Sequence, residues 1–310
     1  MTAPVEVRGL VKRYGDLAAV DGVDLTVETG DVFGYLGPNG AGKTTSLRMM
    51  LGLIRPTAGS VRLFGRDPQL GVAALEGVAG FVEAPRFYPY LNGRVNLDLL
   101  AALDGDDARS RIDEVLDVVE LRDRAKDRVG GYSHGMRQRL GIAAALLRAP
   151  RLLLLDEPAT GLDPAGMRDM RELIRRLASS GMTVVLSSHL LAEVEEVCNR
   201  VAIVRRGRVV YEGSLEELRR TAGAAYRLRT TDDARAHAVA SAQAGISDVA
   251  SQDGGLIFHA DGERAVAELS LALIEARALV IEMAPRHATL EDLFFQLTED
   301  RDRAVELSPA

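Results

Sequence analysis

The chain has 310 residues, 47% of them hydrophobic and 27% charged, with a formal net charge of −7. That suits one large or two modest soluble domains whose core needs no covalent staples. A single cysteine, Cys198, excludes a disulfide framework and a multi-cysteine metal cluster, and the acidic balance argues against a nucleic-acid partner.

Taken in chain order, Val5 to Val27 reads as strands (VEVRGLVKRY, AVDGVDLTV) with Gly and Asp between them. Asp31 to Leu36 reads as a short buried strand running into GPNGAGKTT, followed by a helical pattern through Leu53. Pro56 to Gly59 makes a turn, and SVRLFG is a further strand. Residues 92 to 120 read as helices broken at the Asp/Gly cluster Asp104 to Asp107. RLLLLDE has the continuous apolar run of a parallel strand buried on both faces; GMTVVLSSH repeats it after a helix, and VAIVRRGRVVYEG is a hairpin. Strands alternating with helices predict an α/β core around a parallel sheet. The tail mixes strands (AYRLRT, GLIFHA, ALVIEMAP) with helices (ERAVAELSLALIEA, TLEDLFFQLTED), as a small α+β domain would. Residues 221 to 310 carry 8 Lys/Arg against 15 Asp/Glu, whereas the first 220 hold 30 of each. The expected division is therefore 1–220, with a helical subdomain at about 85–150, and an acidic accessory domain at 221–310. No run reaches the ~18 apolar residues of a membrane span, and MTAPVEVRGL lacks the pattern of a signal peptide. A cytosolic chain is expected unless something else holds it at a membrane.

Two motifs carry chemistry. Gly37-Pro38-Asn39-Gly40-Ala41-Gly42-Lys43-Thr44 fits G-x-x-x-x-G-K-[ST] between a strand and a helix. Its glycines let backbone N–H groups face phosphate oxygens, and the helix start adds its positive dipole end. Lys43 suits the β- and γ-phosphates, and the Thr44 hydroxyl suits Mg²⁺. About 110 residues on, Leu152 to Leu155 deliver Asp156 and Glu157 to the carboxyl end of a strand, where parallel sheets bind ligands. Asp156 suits a role at Mg²⁺, direct or through a neighbour, and Glu157 can polarise an attacking water.

With Tyr14 upstream, YSHGMRQRL before LLLLDEP, then GLDP and SSH ending at His189, the chain resembles the ATP-binding subunits of ABC transporters over about residues 5 to 215. The fold this implies is a P-loop NTPase of ABC type. It has a RecA-like parallel sheet, N-terminal antiparallel strands and a small helical subdomain, followed here by the α+β unit. The resemblance implies that Tyr14 stacks on adenine and that the phosphate loop, with Thr45, holds ATP. Ser133 and Gly135 would grip the γ-phosphate of ATP bound by a second copy. Asp163 would link the two sites across that head-to-tail dimer, and His189 would contact the γ-phosphate. A separate permease would supply the membrane spans and hold the chain at the cytoplasmic face, docking near Phe87 to Leu100.

Two positions depart from the common pattern. LSGGQ is replaced by Tyr132-Ser133-His134-Gly135-Met136, and the loop that normally carries Gln reads GFVEAPRFYPY, with Glu83 in its place. Glu83 offers a charged oxygen to Mg²⁺ or water. That loop and the ending HATLEDLFFQLTED resemble the drug- and peptide-antibiotic-export branch, which includes bacitracin-, lantibiotic- and daunorubicin-type resistance ATPases. The implied function is an ATPase powering such an exporter. A soluble ABC ATPase without a permease, in a regulatory, translation-related or cofactor-assembly role, is the alternative.

Overall fold

The computed structural model describes residues 2–286 apart from 105, 222, 223 and 253, so the helix expected at 289–300 lies outside the described residues. The chain divides into Met1–Ser214 and Leu215–Ala310. That division falls before the charge-based position near 220.

The first unit opens with β1 (Val5–Tyr14) and β2 (Leu17–Val27), an antiparallel pair, followed by β3 (Val32–Leu36), α1 (Lys43–Met50) and β4 (Ala58–Leu63). Then come β5 (Val78–Phe81), α2 (Gly93–Asp104), α3 (Asp106–Ser110), α4 (Ile112–Val118) and α5 (His134–Leu146). These helices occupy the region read as a helical subdomain. The unit closes with β6 (Leu152–Asp156), α6 (Pro164–Ser179), β7 (Thr183–Ser188), α7 (Leu191–Val197), β8 (Arg200–Arg205) and β9 (Arg208–Ser214).

Two sheets enclose the core. β2-β1-β4 is antiparallel, and the six-stranded sheet runs β5-β6-β7-β3-β8-β9, parallel except for β9. Phe33, Tyr35, Leu47, Met49 and Leu154 are fully buried in one cluster with Val7 and Leu25 of the outer sheet. Every residue of β3, β6 and β7 is buried, which is why these strands read as unbroken apolar runs. β5 escapes a sequence reading because it has four residues and a glycine in the middle. A Cβ on Gly80 would sit 1.9 Å from the Leu154 carbonyl oxygen, so the close approach of β5 to β6 requires glycine there. α7 is tied to α6 by Arg171, which pairs with Glu193 at 3.4 Å and Glu196 at 2.8 Å.

The second unit comprises α8 (Leu215–Thr221), β10 (Ala224–Thr230), α9 (Asp233–Ala242), β11 (Ile246–Gln252), β12 (Gly255–Ala260), α10 (Glu263–Glu275) and β13 (Val280–Arg286). Its sheet is antiparallel in the order β11-β12-β10-β13. The core is Leu228, Leu256, Phe258, Leu269 and Leu273, and Tyr226 stacks on Phe258 with ring centroids 5.5 Å apart. α9 was not anticipated because its buried stripe is only Ala236 and Ala240, too faint a pattern to stand out.

Candidate functional site

In the order β6-β7-β3, three parallel neighbours end side by side, with Asp156 opposite Ser187 and Leu36 opposite Ser188. Their carboxyl ends deliver three segments to one place: the Gly37–Thr44 loop, Asp156-Glu157 and Ser187-Ser188-His189. The Gly37 N–H reaches the Ser188 carbonyl at 3.4 Å, and the Ala41 N–H closes a turn on Pro38 at 3.1 Å. Pro38, Asn39 and Gly40 are exposed, and Thr45 is half-buried on α1. Gly42 caps α1 with φ 100°, and a Cβ there would meet the Ala19 carbonyl oxygen at 2.3 Å. Both facts demand glycine.

Lys43 is buried, with Nζ donating to the Gly37 carbonyl at 2.8 Å and the Pro38 carbonyl at 3.3 Å. It also pairs with Glu157 Oε1 at 3.1 Å. Thr44 Oγ1 donates to Asp156 Oδ2 at 2.9 Å, and Ser187 Oγ donates to Asp156 Oδ1 at 2.6 Å. Ser187 also accepts the Glu157 N–H at 3.0 Å, helping to hold Glu157 at φ 50°, a left-handed conformation unusual outside glycine.

The Glu157 carboxylate collects three donors. Oε2 accepts from Thr160 Oγ1 at 2.7 Å and His189 Nδ1 at 2.7 Å, while Oε1 faces Lys43. An ionised carboxylate only accepts, so the hydrogen between them sits on His189 Nδ1. Burial by itself raises the Glu157 pKa, but the Thr160 hydrogen bond, the Lys43 charge and the Lys43 and His189 hydrogen bonds outweigh it and hold the pKa below the ordinary 4.5. The stabilisation from this charge is therefore full above 4.5 and is lost only as pH falls through the lowered value. Hydrolysis profiled from pH 4 to 8 is accordingly expected to show no loss from Glu157 protonation near neutrality.

The remaining expected residues are placed as follows. Tyr14 is 49% exposed beneath Lys12 Nζ, 5.2 Å from its ring centroid. It ends the strand paired with β2, whose Ala19 abuts Gly42. Glu83 reaches the cluster by its backbone, its N–H lying 3.4 Å from Asp156 Oδ2. Its carboxylate pairs with Arg48 at 2.5 Å. Ser133 caps α5 by accepting the Met136 N–H at 3.2 Å, with Gly135 in the same first turn. Asp163 caps α6 by accepting the Gly166 N–H at 2.9 Å. Ser133, Gly135, Gly161 and Asp163 line one cavity, apart from the Lys43 cluster. Sequence reasoning missed Ser187 and Thr160. Ser187 was visible as part of SSH, whereas no pattern marked Thr160.

Comparisons with known proteins place the chain in a family. Residues 20–160 match the ABC transporter family. The chain is 36% identical over 299 residues to the bacitracin transport ATP-binding protein BcrA of Bacillus licheniformis, covering 96% of this chain and 98% of that protein. It is 37% identical to the daunorubicin/doxorubicin resistance ATP-binding protein DrrA of Streptomyces peucetius, covering 96% and 93%. A dimeric ATP-binding cassette solved in a post-hydrolysis state with ADP and Pi is 26% identical with a TM-score of 0.61, covering 68% of this chain and 98% of that one. A match to 96% of the chain must include most of the second unit, so the two named relatives share that region as well. With a strand–loop–helix phosphate cradle after β3, an acid pair at the end of β6 two places along the sheet and relatives matched over 96% of the chain, the chain belongs to the ATP-binding, ATP-hydrolysing subunits of ABC transporters.

Proposed function

We propose that the chain energises export of a drug, peptide antibiotic or similar amphipathic compound through a separate permease. The observation that carries this reading is the near-full-length likeness to BcrA and DrrA, second unit included. No helix among the described residues is long and apolar enough to cross a membrane; in this reading a separate permease supplies the transport path.

The residues at the strand ends divide the work. Main-chain N–H groups of Gly40 to Thr44 and the start of α1 receive the phosphates, and Lys43 neutralises their charge. Thr44 Oγ1 and Asp156, 2.9 Å apart, form a hydroxyl–carboxylate pair of hard oxygens. Magnesium favours such a site, since it takes few protein ligands and completes its shell with water and phosphate oxygens. When bound, the ion would neutralise charge on the phosphate oxygens. Glu157 would accept the proton of the attacking water, and His189, held by its Nδ1–H bond to Glu157, would lie beside that water and the γ-phosphate.

Ser133 and Gly135 line a cavity whose lining does not include the Lys43 cluster; in the arrangement that the family resemblance implies, they complete the site of a second copy placed head to tail. ATP stabilises the closed pair, and hydrolysis removes the phosphate that bridges it. The permease would dock on the apolar surface around a cavity lined by Phe87, Tyr88, Leu99 and Leu103. Tyr88, Leu99 and Leu103 are 54%, 45% and 83% exposed, an apolar concentration of the kind that marks interaction sites.

Co-purification with the protein encoded by the neighbouring reading frame, followed by hydrolysis assays with bacitracin and daunorubicin, tests the reading. Drug-stimulated turnover supports it; a neighbour without membrane spans, or turnover unresponsive to either compound class, counts against it. Leu99→Glu is expected to lower permease co-purification at least about tenfold, the cost of burying an unpaired charge. ATP binding by the isolated chain should stay intact.

A further inference from the structure

We propose that His134 is a positioning residue that connects the Ser133–Gly135 corner of each copy to that copy's own base, Glu157, by way of Thr160. The proposal rests on the two-copy reading above.

His134 stands where the family commonly has glycine, at the first residue of α5. Its Nε2 lies 3.1 Å from the Thr160 carbonyl oxygen. A carbonyl only accepts, so Nε2 carries the hydrogen. Thr160 passes the connection on twice: its Oγ1 donates to Glu157 Oε2 at 2.7 Å, and its N–H donates to the Glu157 carbonyl at 3.2 Å. The turn Glu157–Thr160 is thus closed on itself and pinned from outside by His134. Gly161 follows at φ 76°, and a Cβ there would lie 3.6 Å from His134 Nε2, so the imidazole rests directly on this turn.

Thr160 matters because the Glu157 carboxylate is crowded. Lys43, Thr160 and His189 together engage both of its oxygens. A general base needs a free lone pair aimed at water, so its output depends on where each donor sits. Lys43 answers to nucleotide in the same copy. Thr160 answers to His134, one residue from Ser133 and one from Gly135. A helix start moves as a body, so closure of that corner over the partner's triphosphate displaces His134 and, with it, the turn that sets the Thr160 hydroxyl. The structure thereby supplies a path by which occupancy of one site adjusts the base of the other.

Mixed dimers of the full chain test this. One copy carries Glu157→Gln, so turnover comes only from the intact copy, and His134→Gly is placed either with the intact base or with the disabled one. The first arrangement is expected to run about tenfold slower than the second, roughly the rate equivalent of one hydrogen bond, with equal KM for ATP. His134→Gln, which keeps a donor at similar reach, restores the rate; His134→Leu, which keeps only bulk, does not. Equal rates in the two arrangements, or recovery with leucine, overturn the proposal. Light scattering separates the two readings: Glu157→Gln that stays monomeric with ATP defeats the two-copy arrangement itself, whereas a trapped dimer with equal rates defeats only the His134 connection.

Discussion

Glu157→Gln is expected to leave ATP binding intact while lowering turnover by about 10²–10⁴-fold, the range assigned to a positioned general base. The surroundings of Glu157 explain both halves of that result. A glutamine oxygen in place of Oε2 still accepts from Thr160 and His189, which lie 2.7 Å away, so the turn keeps its shape. The amide nitrogen in place of Oε1 faces Lys43, now a donor against a donor, and the 3.1 Å ion pair is gone. Lys43 is then held only by the Gly37 and Pro38 carbonyls and is freer to meet phosphate. Nucleotide affinity should hold or rise. The amide cannot take a proton from water, so ATP persists and the closed pair accumulates. Isothermal titration, phosphate release and light scattering with ATP check the three parts. Phosphate release at the unmodified rate would remove Glu157 as the base.

The parts of this site that could be read from sequence are those whose chemistry is contiguous. The phosphate loop states its glycines, lysine and threonine in one run, and LLLLDE announces a buried strand with acids at its end. Residues that act through neighbours brought in by the fold were not legible. Ser187 is paired with Asp156 by strand register, and nothing in SSH says that its hydroxyl bridges Asp156 and the Glu157 N–H. Thr160 is one polar turn residue among many until its distance to Glu157 is known. Glu83 is a further case: its loop position was legible, whereas the pairing of its carboxylate with Arg48, one helical turn after Thr44 on α1, was not. In the second unit, sheet strands with large core residues such as Leu228 and Phe258 stood out, while α9, buried through alanines, did not.

Lys43→Ala is expected to weaken ATP binding by about 10–100-fold, the worth of a charge-assisted hydrogen bond set in a phosphate cradle. The chain should remain folded. The two carbonyls that lose their donor belong to Gly37 and Pro38, and the loop beyond them is exposed at Pro38, Asn39 and Gly40, where water can replace an ammonium. Glu157 keeps Thr160 and His189 as donors but loses the Lys43 charge and hydrogen bond that help to lower its pKa, so that pKa should move upward. The loss should show as a smaller rise in melting temperature on adding ATP, because ligand stabilisation follows the ratio of ligand concentration to Kd. Melting of the ligand-free protein is expected to change little. If Lys43→Ala is stabilised by ATP as strongly as the unmodified chain, phosphate is not held at this loop, and the assignments of Thr44, Asp156 and Glu157 around it fall together.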